Sequence, residues 1–157
     1  MKIKLTCIGK TNAQYLTDGM AVYLKRLKKY INFQFDCLND VKNAKNLSKE
    51  ELKKKEGLLL LSKTEESDFL ILLDENGKEF TSEQFADETQ KLLNSSSKNI
   101  HFIIGGAYGF SPEVYKRCNK KIALSKMTFS HQMVRLIFIE QLYRAFSILN
   151  NEPYHHK

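Results

Sequence analysis

Two short apolar runs, residues 69–73 (FLILL) and 100–104 (IHFII), constrain the fold more than any other feature of the chain. Neither alternates between apolar and polar positions. A strand with one wet face alternates with a period of two, so strands this uniformly apolar must be covered on both faces, as in a parallel sheet flanked by helices. No apolar run exceeds five residues, far short of the roughly 18 to 20 that a membrane helix needs. At 157 residues the chain is long enough to bury one core without disulfides or a structural metal.

The rest of the pattern supplies the other layers. Ile3, Leu5 and Cys7 alternate with Lys4 and Thr6, predicting a strand that ends at Gly9. Tyr15, Met20, Tyr23, Leu24 and Leu27 recur near the helical period within residues 12–29. Ile31, Phe33, Phe35 and Cys37 alternate with polar neighbours, predicting a second strand. Ser48 and Glu51 have capping-box spacing and open a helix toward Ser62. Asn76-Gly77 predicts a turn, Ser82 a cap for a helix over residues 85–93, and Ser111-Pro112 another helix start. A short strand at residues 121–124 and a long helix over 131–150 complete an alternating β-α order, which implies an α/β sheet with helices on both faces.

The last helix is apolar on most sides, with Glu140, Arg144, Ser147 and Asn151 as one narrow polar stripe. Such a helix must be covered on most sides; in a domain this small the second cover is another subunit, the alternative being a central core helix in a monomer, and a homodimer is expected. The N-terminus alternates in polarity and does not read as a signal peptide, so a cytoplasmic protein is expected. Cys7, Cys37 and Cys118 are widely spaced, form no Cys-x-x-Cys and read as buried free thiols, with no metal site expected. The formal net charge of +7 suits a polyanionic partner. Between residues 98 and 135 lie Lys98, Lys116, Arg117, Lys120, Lys121, Lys126 and Arg135 against a single acid, Glu113. A second lysine-rich stretch at residues 42–56 reads as a solvated helix face.

Three of the seven glycines fall in residues 105–109, directly after a buried strand and before a capped helix, where backbone can approach a ligand closely. Gly9-Lys10-Thr11 lacks the earlier glycine of a phosphate-binding loop, and His101 inside an apolar strand reads as structural. On these residues alone, a nucleotide-binding enzyme using the glycine loop for phosphate stays open.

Leu73-Asp74 ending one strand, Gly105-Gly106 ending the next, residues 124–132 (LSKMTFSHQ) before the last helix, and the closing Pro153-Tyr154-His155 occur together and in order. Across its whole length the chain resembles the ribosomal large-subunit pseudouridine methyltransferase H family of the SPOUT class. The resemblance implies one domain over residues 1–157, with a mostly parallel sheet, a C-terminal trefoil knot and a homodimer. It implies S-adenosylmethionine as cofactor, held by Leu73, Gly105, Leu124, Ser125, Lys126, Met127, Thr128 and Phe129. The implied reaction methylates N3 of a pseudouridine in 23S ribosomal RNA on the assembled ribosome; a noncatalytic RNA-binding factor with the same fold is the alternative. Tyr154 and His155 match the family's functional tail, and an imidazole titrating near about 6.5 suits proton handling. Arg135 and Lys126 are the cations expected near RNA phosphate, and His131 a supporting group. Ser130 stands where proline is common, and His156-Lys157 where some members have arginine.

Overall fold

The structure is a computed structural model that describes residues 1–156; Lys157 lies outside the described residues. Five parallel strands form one sheet: β1 (Lys2–Ile8), β2 (Phe33–Leu38), β3 (Asp68–Glu79), β4 (Asn99–Ile104) and β5 (Lys120–Ala123), in the order β2-β1-β4-β3-β5. Three helices cover one face: α1 (Gln14–Leu27), α3 (Ser82–Leu93) and α5 (Met133–Leu149) pack Met20, Leu27, Phe85, Phe138 and Leu142 against Ile3, Leu5, Ile71, Ile100 and Phe102. The opposite face is covered by α2 (Lys49–Ser62) and the short α4 (Pro112–Arg117), through Leu60 and Val114 on Leu70, Leu72 and Ile103. Both uniformly apolar runs therefore lie in central strands buried on two sides, as their pattern requires.

Three local expectations are corrected. The cap of α3 is Thr81, which forms a reciprocal capping box with Gln84, so Ser82 is already inside the helix. Asn76-Gly77 makes no chain reversal. Instead β3 continues to Glu79, with a register shift in which Ile122 of β5 pairs first with Leu73 and again with Lys78. In α5, Ser147 does not belong to an outward polar stripe; it is buried and its hydroxyl donates to the Arg144 carbonyl. Glu140 and Arg144 are half-buried and paired at 2.8 Å.

His101 is structural, as expected. It sits fully buried in a polar network under α2, with Nδ1 3.2 Å from Asp68 and Nε2 2.7 Å from the Thr6 hydroxyl. Burial, reinforced by the nearby Lys4 charge, depresses His101 to about 4, so the ring is neutral, donating to Asp68 and accepting from Thr6. Burial works to raise the Asp68 carboxyl, but hydrogen bonds from the Glu65 amide, Lys4 and Asn99 overcome it and hold it near about 2. The folded chain resists a proton at His101 that the unfolded chain accepts below pH 6.5. The stability that this contributes is complete above pH 6.5 and is lost as the pH falls toward 4, by on the order of 3 kcal/mol. Asp68 adds a second loss as the pH falls from 3.8 toward about 2. In urea denaturation, the decline between pH 6.5 and 4 should flatten in His101→Gln, which has nothing to protonate there. An unaltered slope would remove His101 as its source.

Candidate active site

The carboxyl ends of β4 and β5 and the irregular middle of β3 open on one cleft of about 550 Å³, within the range of small-molecule sites. Each wall follows from its strand: Leu73 to Asn76 lie at the register shift of β3, Ile104 to Phe110 leave β4, and Leu124 to Val134 run from β5 into α5. Of the residues expected to hold a cofactor, Leu73, Gly105, Leu124, Ser125, Met127, Thr128 and Phe129 all line this cleft. Lys126 does not. Its side chain is 86% exposed and lies 3.8 Å from Glu79.

The lining combines apolar walls from Leu73, Ile104, Leu124, Phe129 and Val134 with free backbone. No backbone group of residues 125–129 is bonded to another backbone group among the described residues, leaving donors and acceptors for a ligand. The hydroxyls of Ser125 and Thr128 are already engaged, accepting from the Met127 amide and donating to Glu75. Across the cleft, the second glycine of the loop makes room for an acidic side chain: a Cβ on Gly106 would stand 2.5 Å from the Glu56 carboxylate, which would have to shift. Glu56 is itself buried beneath the loop, and burial together with Asp40 raises its carboxyl above the ordinary range. Ser130, in place of proline, closes the turn into α5 by accepting from the Met133 amide at 3.1 Å. His131 lines the cleft next to it and is exposed.

Two lining residues were not anticipated. Tyr115 donates to Asp74 at 2.5 Å across the cleft floor, and burial, with the Asp74 carboxylate, raises its phenol well above the usual tyrosine range. Tyr108 sits half-exposed at the rim with the Lys49 ammonium 5.1 Å from its ring centre, as Lys121 lies 5.6 Å from that of Tyr115. An aromatic residue inside the glycine loop was the available signal for Tyr108. None was available for Tyr115, because nothing in the sequence pairs it with Asp74.

Arg135, expected near RNA phosphate, is turned into the protein. Its side chain is fully buried, and the guanidinium donates to the Ile8 carbonyl at 2.7 Å and to the Thr11 hydroxyl at 2.9 Å. From the first turn of α5 this long basic side chain thus reaches inward to the carboxyl end of β1. The basic segment is thinned in the same way elsewhere. Arg117 donates to the Glu65 and Asp68 carbonyls, Lys120 pairs with Glu88, and Lys98 with Glu65.

Tyr154 and His155 do not line the cleft. Tyr154 stacks edge-on against Tyr143, lies under the Arg144 guanidinium and donates to Glu140 at 2.9 Å. Burial and its hydrogen bonds to Tyr23 and Glu140 raise its phenol far above the ordinary value, keeping it protonated. The His155 Nδ1 is 3.0 Å from Arg144 Nη1, and Nε2 is 3.6 Å from Glu83. Ten residues of helix, about 15 Å, separate Arg144 from Val134 at the cleft wall. Among the described residues no cluster of three or more potential metal ligands occurs, and no helix is long and apolar enough to cross a membrane.

Comparison with known proteins agrees with this arrangement. A family model described as "Predicted SPOUT methyltransferase" matches residues 1–155. The chain is 58% identical over 157 residues to the ribosomal RNA large subunit methyltransferase H of Christiangramia forsetii, covering all of both chains. It is 55% identical to that of Parabacteroides distasonis and 47% to that of Bacteroides thetaiotaomicron, again over the full length of both. With three loop segments converging on one cleft beside three parallel strands, and this likeness running from one end of the chain to the other, the chain belongs to the SPOUT methyltransferase family.

Proposed function

We propose that the chain is a methyltransferase of the large ribosomal subunit that uses S-adenosylmethionine to methylate N3 of a pseudouridine in 23S RNA on the assembled ribosome. The observation that carries the reading is the convergence of Leu73, Gly105 and residues 124–129 on one cleft, in a chain whose full-length relatives are named for that RNA activity. The cleft fits the cofactor chemically. Leu73, Ile104 and Leu124 give apolar surfaces for an adenine, and the backbone of residues 125–129, apart from the Met127 amide, is open to hydrogen bonds with its edge and with a ribose. When bound, S-adenosylmethionine supplies a methyl group on a cationic sulfur. What the protein adds is alignment of the base and removal of its N3 proton.

A homodimer joins the two separated halves of this machinery. Gly19 of α1 lies against Leu136 of α5, with exposed Tyr15 and Val22 within one turn on either side and half-exposed Met133 and Ile137 beside them on α5. This apolar strip is the surface for a second copy, and it brings the tail of one copy, with His155, to the cleft of the other. Arg144, Glu140 and Tyr143 hold that tail in place. The exposed Lys126, and the Tyr108 and Lys49 pair at the rim, are the groups placed for phosphate and for an unstacked base.

The test is transfer of radiolabelled methyl from S-adenosylmethionine to intact ribosomes and, separately, to stripped RNA. Label confined to 23S RNA of intact ribosomes, mapping to a pseudouridine, is expected. Binding of S-adenosylmethionine without label on either substrate would leave the noncatalytic RNA-binding factor as the better reading.

A further inference from the structure

We propose that Cys7 and Cys37 form a peroxide-reactive thiol couple, a modification site in which the exposed Cys37 is oxidised first and the buried Cys7 then closes a reversible disulfide. The two residues are 30 positions apart in the sequence but are register partners on neighbouring parallel strands, with their sulfurs 3.3 Å apart. Adjacent strands run about 4.8 Å apart, inside the Cα separation that a disulfide spans, so closure needs little backbone movement. The two partners differ in access: Cys37 is exposed on the edge strand, whereas Cys7 is wholly buried in the core.

The surroundings divide the roles. Arg135, whose guanidinium is already fixed by the Ile8 carbonyl and Thr11, also places Nη1 3.8 Å from the Cys37 sulfur. Donation from the Cys7 thiol, aided by the Arg135 charge, lowers Cys37 to about 7, while sharing that proton and being buried raise Cys7. The acidic group on the same strand, Asp36, raises both thiols: it opposes the lowering of Cys37 without reversing it and adds to the raising of Cys7. Cys118 provides the contrast: its sulfur donates to the Tyr115 carbonyl, burial raises its thiol, and no second cysteine is near.

The chemistry balances with hydrogen peroxide as oxidant. The Cys37 thiolate attacks one peroxide oxygen, the O–O bond breaks, and the departing hydroxide takes a proton to leave as water, giving a sulfenic acid. The Cys7 sulfur then attacks the Cys37 sulfur, the S–O bond breaks, and the hydroxide leaves as a second water with the Cys7 proton. Two thiols are oxidised to one disulfide and one peroxide is reduced to two waters.

The experiment treats the reduced full-length protein with hydrogen peroxide and reads intact mass and peptide maps. The expected product has lost two hydrogens, carries a Cys7–Cys37 cross-link, leaves Cys118 free and reverts with thiol reductant. In Cys7→Ser the reaction should stop at Cys37 sulfenic acid, trapped by dimedone, and Cys37→Ser should form neither product. Alkylation of Cys37 should rise with pH around about 7, the value of its thiol, instead of around the ordinary 9.0. A wild-type protein whose Cys37 reacts no faster than Cys118, or which accumulates sulfinic acid at Cys37 without a cross-link, would overturn the proposal. The wild-type map decides the matter even if neither serine variant folds.

Discussion

A chain ending at Pro153 is expected to lose methyl transfer to ribosomes by about 100-fold or more, the scale of a lost proton-handling group, while still binding S-adenosylmethionine. The reason is spatial. The tail lies along the second half of α5, away from the cleft of its own chain, so removing it takes nothing from the walls formed by Leu73, Gly105 and residues 124–129. On the proposed dimer, what is lost is the group delivered to the other copy. Two point variants divide the effect. Tyr154→Phe keeps the ring against Tyr143 and removes only the hydrogen bonds to Glu140 and Tyr23, so it should cost far less than the truncation. His155→Gln keeps a polar side chain beside Arg144 but cannot take a proton, so it should reproduce most of the loss. Calorimetry with S-adenosylmethionine and single-turnover methyl transfer separate binding from chemistry. If the truncated chain lost cofactor affinity in proportion to activity, the tail would instead belong to its own cleft.

Replacing Gly77 by alanine is expected to destabilise the fold by about 3 kcal/mol or more, lowering the thermal midpoint by on the order of 10 °C, because overpacking is met here by rigid main chain. A Cβ at this position would stand 2.6 Å from the Ile122 nitrogen and 2.6 Å from the Lys121 carbonyl carbon. No side chain is available to swing away; the β5 backbone itself would have to move. Because Ile122 pairs on both sides of the register shift, with Leu73 and with Lys78, a displaced β5 also carries the cofactor loop out of place. Cofactor affinity should fall together with stability, read by calorimetry and thermal denaturation on the same sample. A variant with an unchanged midpoint would mean that β5 can shift freely against β3.

The alternating and uniformly apolar strands, the helices between them and the two-sided cover of the sheet were all legible in the sequence, because burial imposes a period that a linear pattern records. The segments expected to hold a cofactor were named through their resemblance, and seven of the eight residues line one cleft; Lys126, the exception, turns to solvent. Gly77 shows where local signals misled. Asn-Gly is a turn sequence when only its neighbours act on it, but here β5, more than forty residues later, takes the space over the glycine, and the segment bulges within β3 without reversing the chain. Arg135 misled for the same reason, since its charge was visible in the sequence and its carbonyl partner on β1 was not. Cys7 and Cys37, far apart and unremarkable in the chain, become neighbours only through strand pairing. The sequence by itself determined the class of the fold, the order of its elements and the segments that reach the cleft, because those depend on periodicity and on short contiguous motifs. The tertiary structure alone decided which charges are spent inside the protein, which thiols meet and which glycine is indispensable, because each of these depends on an atom supplied by a distant part of the chain.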